Sequence, residues 1–318
     1  MRAPSKSVPS VYHIALLCSL WAGGLSTSFG APTNLFSTQF ESAQGYDTNL
    51  NLAGQNGWTK YGSGGNGLTS GFFSGQGQQA YVGYYPPGPG DSALFVWHPI
   101  NFSPVAAGLP VVTFTTLMSV VGPTNGQYDF FQWTVFNTNT QPLITIDFDT
   151  DTTNVGYFLD GTQYTNSGVQ FAPGATYTLT VTMNFASNLW SATLNSALVA
   201  ANQPMTTTGK GLTLGDIDAV WEVYLTNAPG NNFMVFDNYS ITAQVLPPRL
   251  TLLGRTSNGQ TLLRLNGQAG INFAIDASTN LLNWTALITN VATGGSFDYT
   301  DTGAPAFSRR LYRARWVP

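Results

Sequence analysis

The stretch "TYTLTVTMNF" (176–185) alternates large apolar residues with polar ones, mostly threonine. Its apolar positions run from Tyr177 to Met183 at every second residue, and successive side chains of an extended chain point to opposite sides. This period of two predicts a β-strand with one buried face. The segment "NLWSATLN" (188–195) follows after a short turn, so the two segments predict an antiparallel hairpin.

The rest of the chain repeats this pattern. "YFLDGTQY" (157–164) places Asp160 and Gly161 between two strand-like flanks, and an Asp-Gly pair strongly favours a tight hairpin turn. Four further predicted strands are 111–120, 130–137, 219–227 and 233–242. No segment shows a sustained helical stripe of apolar residues. Many short strands and few helices predict an all-β sandwich or barrel.

The beginning of the chain has the layout of a secretory signal peptide. Arg2 and Lys6 precede an apolar run at 14–25, and small polar residues follow it. We expect cleavage after Gly30, a mature chain that starts at Ala31, and a secreted or extracellular-surface location. Because the run is too short to span a bilayer as a permanent helix, no transmembrane segment is expected after its removal.

Composition excludes several kinds of site in the mature chain. Removal of residues 1–30 takes away Cys18, the one cysteine, and His13, one of two histidines. The mature chain therefore has no disulfide and no multi-histidine metal site. Its remaining imidazole, His98, lies in "WHP" and is predicted to be structural.

Charge divides the mature chain into two parts. Residues 31–248 contain two lysines against twelve acidic residues, a formal net charge of −10, whereas 249–318 contain seven arginines against three aspartates, a net of +4. The acidic part is an improbable partner for nucleic acid. The change falls at "QVLPPR" (244–249), where paired prolines stop strand pairing. We predict a signal peptide at 1–30, one domain at 31–246 and a second at 247–318.

Three segments of the larger part carry a family resemblance. "FESAQGYDTNLNLAGQNGW" (40–58), the hairpin at 176–195 and "FMVFDNYSI" (233–241) resemble the concanavalin A-like jelly-roll modules, of the LamG and laminarinase-like type, in exported proteins of environmental bacteria. The resemblance implies a jelly-roll β-sandwich and, on neighbouring strands, a structural calcium at Glu41 and Asp237. It implies no single activity, since this fold hosts lectins, hydrolases, lyases and spacers.

The tail carries a second resemblance. Residues 271–315, with an "S-x-N-L-x-x-W" segment and a terminal "RLYRARW" strand, are similar to the small immunoglobulin-like modules that end many such proteins. Alternation puts Tyr312 and Trp316 on one face, which is predicted to be core, and Arg313 and Arg315 on the other. The arginine face is predicted to be a solvated, charge-protected edge, with binding of an anionic surface as the alternative.

The acidic stretch "LITIDFDTD" (143–151) raises the question of catalysis. A retaining glycosidase needs two carboxyl groups about 5–5.5 Å apart, and laminarinase-like enzymes place a Glu, Asp, Glu series on one strand. Here each position is Asp, and the two glutamates of the mature chain, Glu41 and Glu222, lie elsewhere. The hydrolase motif is absent, and Asp147 and Asp149 are predicted to occupy a solvated strand face.

The same stretch fails as an EF-hand. Its aspartates match ligand positions one, three and five, but Thr152 replaces the turn glycine and Phe158 replaces the bidentate glutamate. A looser calcium site at these aspartates remains an alternative.

Exposed aromatic residues give the function prediction. "YVGYYPPGPG" (81–90) presents Tyr84 and Tyr85 on a Pro-Gly loop, and with Trp97 they are the candidate ligand-binding residues, since sugar rings stack on aromatic faces. We predict a secreted, non-catalytic protein that binds neutral or weakly polar polysaccharide or a cell-surface glycan. The alternatives are a structural or adhesive surface protein and a polysaccharide-degrading enzyme of jelly-roll fold.

Overall fold

The structure, a computed structural model, describes residues 31–317, so the predicted signal peptide lies outside the described residues. Its regular secondary structure consists of β-strands and two short 3₁₀ turns, Ser42–Gln44 and Ala304–Ala306, and the predicted all-β class is confirmed. Between residues 31 and 317 no helix has the length and apolar character needed to cross a membrane. Contacts within the chain define two compact units, Thr33–Gln244 and 245–317, which are described separately.

The larger unit contains fifteen strands. In chain order they are β1 Thr33–Thr38, β2 Thr59–Gly62, β3 Asn66–Ser70, β4 Gln78–Gly83, β5 Ala93–Trp97, β6 Val111–Val121, β7 Phe130–Phe136, β8 Pro142–Asp149, β9 Asn154–Leu159, β10 Gln163–Gln170, β11 Tyr177–Asn184, β12 Leu189–Leu194, β13 Ala197–Pro204, β14 Asp216–Glu222 and β15 Phe233–Gln244.

These strands form the two antiparallel sheets of a jelly-roll sandwich. The first sheet has the order β13-β12-β11-β6-β15-β4-β3, with β1 paired to β15, and the second has the order β10-β9-β8-β7-β14-β5-β2. The chain crosses repeatedly between the sheets, for example from β4 to β5 and from β14 to β15. Apolar side chains of both sheets fill one continuous core, as expected for facing sheets that each bury one side.

The predicted hairpins are present. β11 and β12 pair from Leu179 opposite Leu194 to Asn184 opposite Leu189, and the apolar face of β11 lies in the core. Asp160 and Gly161 join β9 to β10 with φ angles of 52° and 76°, the left-handed conformation that tight hairpin turns require.

The core of the larger unit is rich in aromatic rings. Trp133, Trp190 and Trp221 are 0–1% exposed, so all three rings lie in the core. The strand predicted at 219–227 ends early, at Glu222. Beyond it, the backbone N–H of Tyr224 donates to the Asp129 carboxylate at 3.1 Å instead of to a neighbouring strand.

The smaller unit contains six strands: β16 Arg249–Arg255, β17 Thr261–Asn266, β18 Asn272–Ser278, β19 Thr285–Val291, β20 Ser296–Asp301 and β21 Leu311–Trp316. They form two three-stranded antiparallel sheets, β16-β17-β20 and β19-β18-β21. Tyr312 is buried and Trp316 packs against the same core, so the predicted apolar face of the last strand is confirmed. The immunoglobulin-like assignment stays a prediction.

The arginine face of β21 is neutralised within the unit. Asp276 on β18 is buried, and it accepts hydrogen bonds from Nε of Arg313 at 2.9 Å and Nε of Arg315 at 3.0 Å. The guanidinium of Arg313 also lies 4.5 Å from the ring centre of Trp284. Two cations that share one buried carboxylate form a structural cluster, which leaves little of their charge for an outside anion.

Candidate functional site

The side chains of the seven-stranded sheet that point away from the core form the candidate site, which we call the polar face. Trp133 on β7 and Ala219 on β14 point into the core, so the residues on either side of them point outward. The polar face consists of Gln132, Thr134, Thr145, Asp147, Asp216, Asp218 and Glu222. All except Asp216 and Glu222 are buried, which makes the floor of this face a set of shielded hydrogen-bonding groups.

Gln132 joins two carboxylates across three strands. Its Nε2 donates to Oδ1 of Asp147 at 3.0 Å and to Oε2 of Glu222 at 2.8 Å. Burial raises the pKa of Asp147 to about 7, the hydrogen bond from Gln132 opposes this, and the charge of Glu222 adds to the rise. A carboxyl group of this kind can be protonated near neutral pH.

The prediction that Asp147 lies on a solvated face is wrong. The outward direction predicted for Asp147 is correct, but only 3% of the residue is exposed. Gly156 pairs with Asp147 on the neighbouring strand, and the ring of Tyr164 lies against Gly156, where a Cβ atom would come within 2.4 Å of it. Side chains from neighbouring strands therefore shield this carboxylate.

Asp149 and Asp151 have other roles. Asp149 accepts the backbone N–H of Asp151 at 2.9 Å and the hydroxyl of Thr152 at 2.6 Å, which shapes the turn after β8. Asp151 is exposed. Nowhere in residues 31–317 do three or more His, Cys, Asp or Glu side chains meet in a metal-binding group, and the looser calcium site at this stretch stays an alternative.

Asp216 and Asp218 form a second acidic pair on β14. Burial raises the pKa of Asp216 to about 6. The pKa of Asp218 is also raised, by burial and by the charge of Asp216. Oδ1 of Asp218 is buried and no N–H or hydroxyl donates to it, an unusual state for a carboxylate oxygen in a folded protein.

Aromatic side chains flank this floor. Ala219 pairs with Val96, so Trp97, the next residue of β5, lies beside Asp218 on the polar face. Phe95 on the same strand contacts the ring of Tyr61, with 6.4 Å between centroids. Phe136, which pairs with Asp216, contacts the ring of Phe95, and Phe130, which pairs with Glu222, contacts the ring of Tyr224. Aromatic side chains therefore lie along one side of the polar groups and at both ends of β14.

Tyr84 and Tyr85 lie elsewhere, in the loop after β4. They are 49% and 58% exposed, their ring centroids are 4.8 Å apart, and Tyr84 also contacts the ring of Phe233 at 5.7 Å. Trp97 lies at the far end of β5 from this loop, about 13 Å along the strand. The structure therefore separates the three predicted ligand-binding residues into two places.

The predicted metal ligands Glu41 and Asp237 are brought near each other. Glu41 lies in the turn after β1 rather than in a strand, and its Oε1 accepts the backbone N–H of Gln78 at 3.2 Å. Asp237 is fully buried and its Oδ2 has no partner. Burial raises the pKa of Asp237 to about 6, a hydrogen bond from the Asn238 N–H opposes this, and the charge of Glu41 adds to the rise.

This pair partly fits a calcium ion. Calcium takes six to eight oxygen ligands, including carboxylates and amide oxygens. Besides the free Oδ2 of Asp237, Oε1 of Gln78 is buried without a partner. The carboxylate of Glu41 lies against Gly77, where an added Cβ would clash with it, so the turn at Gly77 adjoins the candidate site. His98, in contrast, stacks on the ring of Phe36 at 3.7 Å.

Comparison with known proteins gives fold likeness alone. No family model matches the chain, and no curated protein matches it. A carbohydrate-binding module from Bacillus subtilis matches 61% of this chain over 99% of its own length, with 11% identity and a TM-score of 0.36. A carbohydrate esterase of Shiga toxin-encoding bacteriophage phi24B matches 67% of this chain over its full length, with 12% identity and a TM-score of 0.47.

A sialidase is a third neighbour, with 10% identity and a TM-score of 0.46 over 66% of this chain. The chain spans 18% of that sialidase. At these identities and TM-scores, none of the three assigns an activity or a ligand to this protein. The structure itself defines the class, a jelly-roll β-sandwich protein with a polar, aromatic-flanked sheet face and a small second β-unit.

The sequence interpretation missed most of the polar face. Gln132, Asp216, Asp218 and Glu222 were not among the predicted site residues. One signal was available: in "DIDAVWE" (216–222) the acidic residues occupy alternate positions, which places them together on one side of a strand.

Proposed function

We propose that the larger unit is a non-catalytic carbohydrate-binding module that holds a polysaccharide without acidic groups on the polar face. The observation that supports it is the combination, on one sheet face, of shielded carboxylate, amide and hydroxyl groups with the neighbouring rings of Trp97 and Phe95. Sugar hydroxyls donate to such oxygens, and the C–H faces of sugar rings stack on aromatic side chains.

Charge supports a ligand without acidic groups. The face carries Asp147, Asp216, Asp218 and Glu222, and the larger unit has two basic residues. Lys210 is already bound, since its Nζ donates to the backbone oxygens of Pro142 at 2.6 Å and Asp160 at 2.9 Å. Lys60 pairs with the core residue Val96, so it points to the other side of the sheet. An acidic sugar on the polar face would therefore meet like charge with no cation of that face to offset it.

Export is part of the proposal. The ordered basic, apolar and small residues of 1–30 support a secreted protein. N-terminal sequencing of the exported protein should begin at Ala31, whereas recovery of an intact Met1 from the medium would contradict export by cleavage.

Affinity electrophoresis through gels that contain a neutral polysaccharide tests the binding site. Trp97→Ala should weaken retention up to about tenfold, since stacking on an aromatic ring contributes about 0.5–1.5 kcal/mol. Gln132→Ala should also weaken retention, because it releases the Asp147 and Glu222 carboxylates that Nε2 of Gln132 holds in place. The double variant Tyr84→Ala with Tyr85→Ala is the comparison. Loss of retention in the tyrosine variant alone would place binding at the loop after β4. Equal retention of the wild-type protein and all variants would show that the polysaccharide binds neither at the polar face nor at the loop after β4.

Hydrolysis is the second candidate function. Asp147 and Glu222 both lie within 3.0 Å of one nitrogen, so their oxygens are less than about 6 Å apart, close to the spacing of a retaining glycosidase. The raised pKa of Asp147 would suit a general acid and the exposed Glu222 a nucleophile. Release of reducing sugar by the wild-type protein, abolished in Glu222→Gln, would establish this candidate and overturn the non-catalytic assignment.

For Glu41 and Asp237 we propose a structural calcium that braces the turn at Gly77. The proposal rests on the unpartnered oxygens of Asp237 and Gln78 and on the repulsion between two close carboxylates, which a cation would remove.

A further inference from the structure

We infer that the polysaccharide held on the polar face carries free amines, so that its ammonium groups pair with the Asp147–Glu222 and Asp216–Asp218 carboxyl groups. This inference rests on the proposed function, and it names the class of glycan. Four carboxyl groups line one sheet face, and an amino-sugar polymer offers positive charge to pair with them. Its ring faces suit the flanking aromatic side chains, and its hydroxyls suit the threonines.

The unsatisfied oxygen of Asp218 is the first support. Asp218 is 4% exposed, and its Oδ1 receives no hydrogen bond from an N–H or hydroxyl group. A buried acceptor without a donor costs free energy, and the group beside it is the acidic Asp216. An ammonium has three N–H donors and a positive charge, so it would supply both the donor and the counter-charge that this oxygen lacks.

The hydrogen bonding of Glu222 is the second support. Gln132 Nε2 has two hydrogens, and they are used by Asp147 and Glu222. Each carboxylate has about four lone-pair sites, so both retain acceptor capacity that an amine or hydroxyl from outside can use. Burial raises the pKa of Asp147 and Asp216 because it disfavours their charged forms. A bound cation would stabilise those charged forms.

The spacing of the two pairs favours a polymer over a metal ion. Asp218 and Glu222 are four residues apart on β14, which is about 13 Å along a strand. A metal ion needs its ligands gathered around one point, and within the described residues no such gathering of three or more acidic, His or Cys side chains occurs. Two carboxyl pairs that are separated along a strand are better matched by the repeating charges of an extended polymer than by a single metal ion.

Isothermal titration of the purified protein with sugar hexamers tests the inference. The probes are a hexamer of glucosamine, its fully N-acetylated counterpart and cellohexaose, at near-neutral pH, where Asp216 with its pKa of about 6 is ionised. We expect the glucosamine hexamer to bind about 10- to 100-fold more tightly than the other two, as one or two charge-assisted hydrogen bonds would give. The combined variant Asp218→Asn with Glu222→Gln should lose this preference.

Asp151→Asn is the matched control, because Asp151 is an exposed aspartate in the turn after β8 and its loss changes the net charge in the same direction. It should retain the full preference. Equal loss in Asp151→Asn, or equally tight binding of hexalysine, would show attraction to net charge and overturn the inference. Displacement of the glucosamine hexamer by millimolar calcium in the wild type, with no effect in Asp218→Asn, would make the face a metal site and overturn it too.

The outcomes separate the two proposals. Equal affinity for all three hexamers would overturn the amine inference and leave carbohydrate binding intact. Failure of all three to bind would remove both proposals for this face. The comparison among hexamers uses the wild-type protein, so a folding defect in a variant cannot obscure it.

Discussion

Asp147 and Glu222 accept hydrogen bonds from the same nitrogen, Nε2 of Gln132, at 3.0 and 2.8 Å, although their strands, β8 and β14, lie on opposite sides of β7. The contact links three strands on the outer side of the sheet. Asp147 is buried, so its surroundings disfavour its charged form, whereas Glu222 is exposed and in contact with water. The shared donor therefore links two carboxyl groups in different environments.

The first prediction concerns stability against pH. The pKa of Asp147 is raised to about 7 in the folded protein, above its unfolded value of about 3.9. Between these values the folded state binds more protons than the unfolded state, so stability falls as pH rises from about 4 to 7. Asp147→Asn should remove up to ~4 kcal/mol of this loss and flatten the curve of melting temperature against pH.

The pKa values of Asp216 and Asp218 are also raised. In Asp147→Asn the melting temperature should therefore still fall somewhat as pH rises. Asp151→Asn, at an exposed turn, should follow the wild-type curve. An Asp147→Asn curve that is as steep as the wild type between pH 4 and 7 would mean that Asp147 is not protonated in the folded protein.

The second prediction concerns Asp129, a buried carboxylate that organises one end of the larger unit. Its oxygens accept hydrogen bonds from Nε1 of Trp221 at 3.0 Å and from the backbone N–H groups of Tyr224 at 3.1 Å and Gly230 at 2.9 Å. Asp129→Asn would place an N–H against at least one of these donors. We expect a loss of about 3 kcal/mol, or about 5–10 °C in melting temperature.

Hydrogen exchange gives the local measurement for this variant. The amides of Tyr224 and Gly230 should exchange faster in Asp129→Asn, because their acceptor is weakened, while amides of the β11–β12 hairpin should change only through global stability. Unchanged protection at both amides would show that the carboxylate does not hold this loop.

Local alternation in the sequence predicts the strands and their buried faces well. In β8, Ile144, Ile146 and Phe148 enter the core and Asp147 points outward, as the period of two requires. The burial of Asp147 could not be predicted in the same way. It depends on Gln132 and Tyr164 from other strands, and side-chain lengths and sheet twist, rather than any local pattern, decide how far such neighbours cover it.

The grouping of site residues depends on strand order. Trp97 and Asp218 are 121 positions apart in the chain and meet because β5 pairs with β14. Tyr84 and Tyr85 precede the same strand yet lie elsewhere. Residue type alone put Trp97 with the tyrosines in the predicted ligand-binding set, whereas pairing register places it with the acidic residues of β14.

The third prediction concerns calcium at Glu41 and Asp237. A ligand that binds only the folded state stabilises it, by about 2.7 kcal/mol at a hundredfold excess over its dissociation constant. Calcium should raise the melting temperature of the wild-type protein, and Glu41→Gln with Asp237→Asn should abolish the increase. Magnesium should give a smaller increase, since it needs near-ideal octahedral geometry. An equal increase in the variant would place calcium elsewhere.

The last prediction concerns Asp276 and its two arginines in the smaller unit. The side chain of Asp276 is 3% exposed, whereas those of Arg313 and Arg315 are 28% and 29% exposed. Removing the carboxylate leaves two cations that can turn toward water, so Asp276→Asn should cost about 1–2 kcal/mol. Removing both cations leaves a buried, uncompensated charge, so Arg313→Gln with Arg315→Gln should cost about 3–5 kcal/mol.

The triple variant distinguishes this explanation from simple loss of contacts. With Asp276→Asn added to the two arginine substitutions, the buried charge disappears, and stability should recover by about 1–3 kcal/mol relative to the double variant. Calorimetry should show these changes in the transition of residues 245–317 while the transition of Thr33–Gln244 stays constant, since each unit has its own core. Additive losses in the triple variant would mean that the arginines stabilise by packing, through contacts such as that of Arg313 with Trp284, and that the charge of Asp276 contributes little.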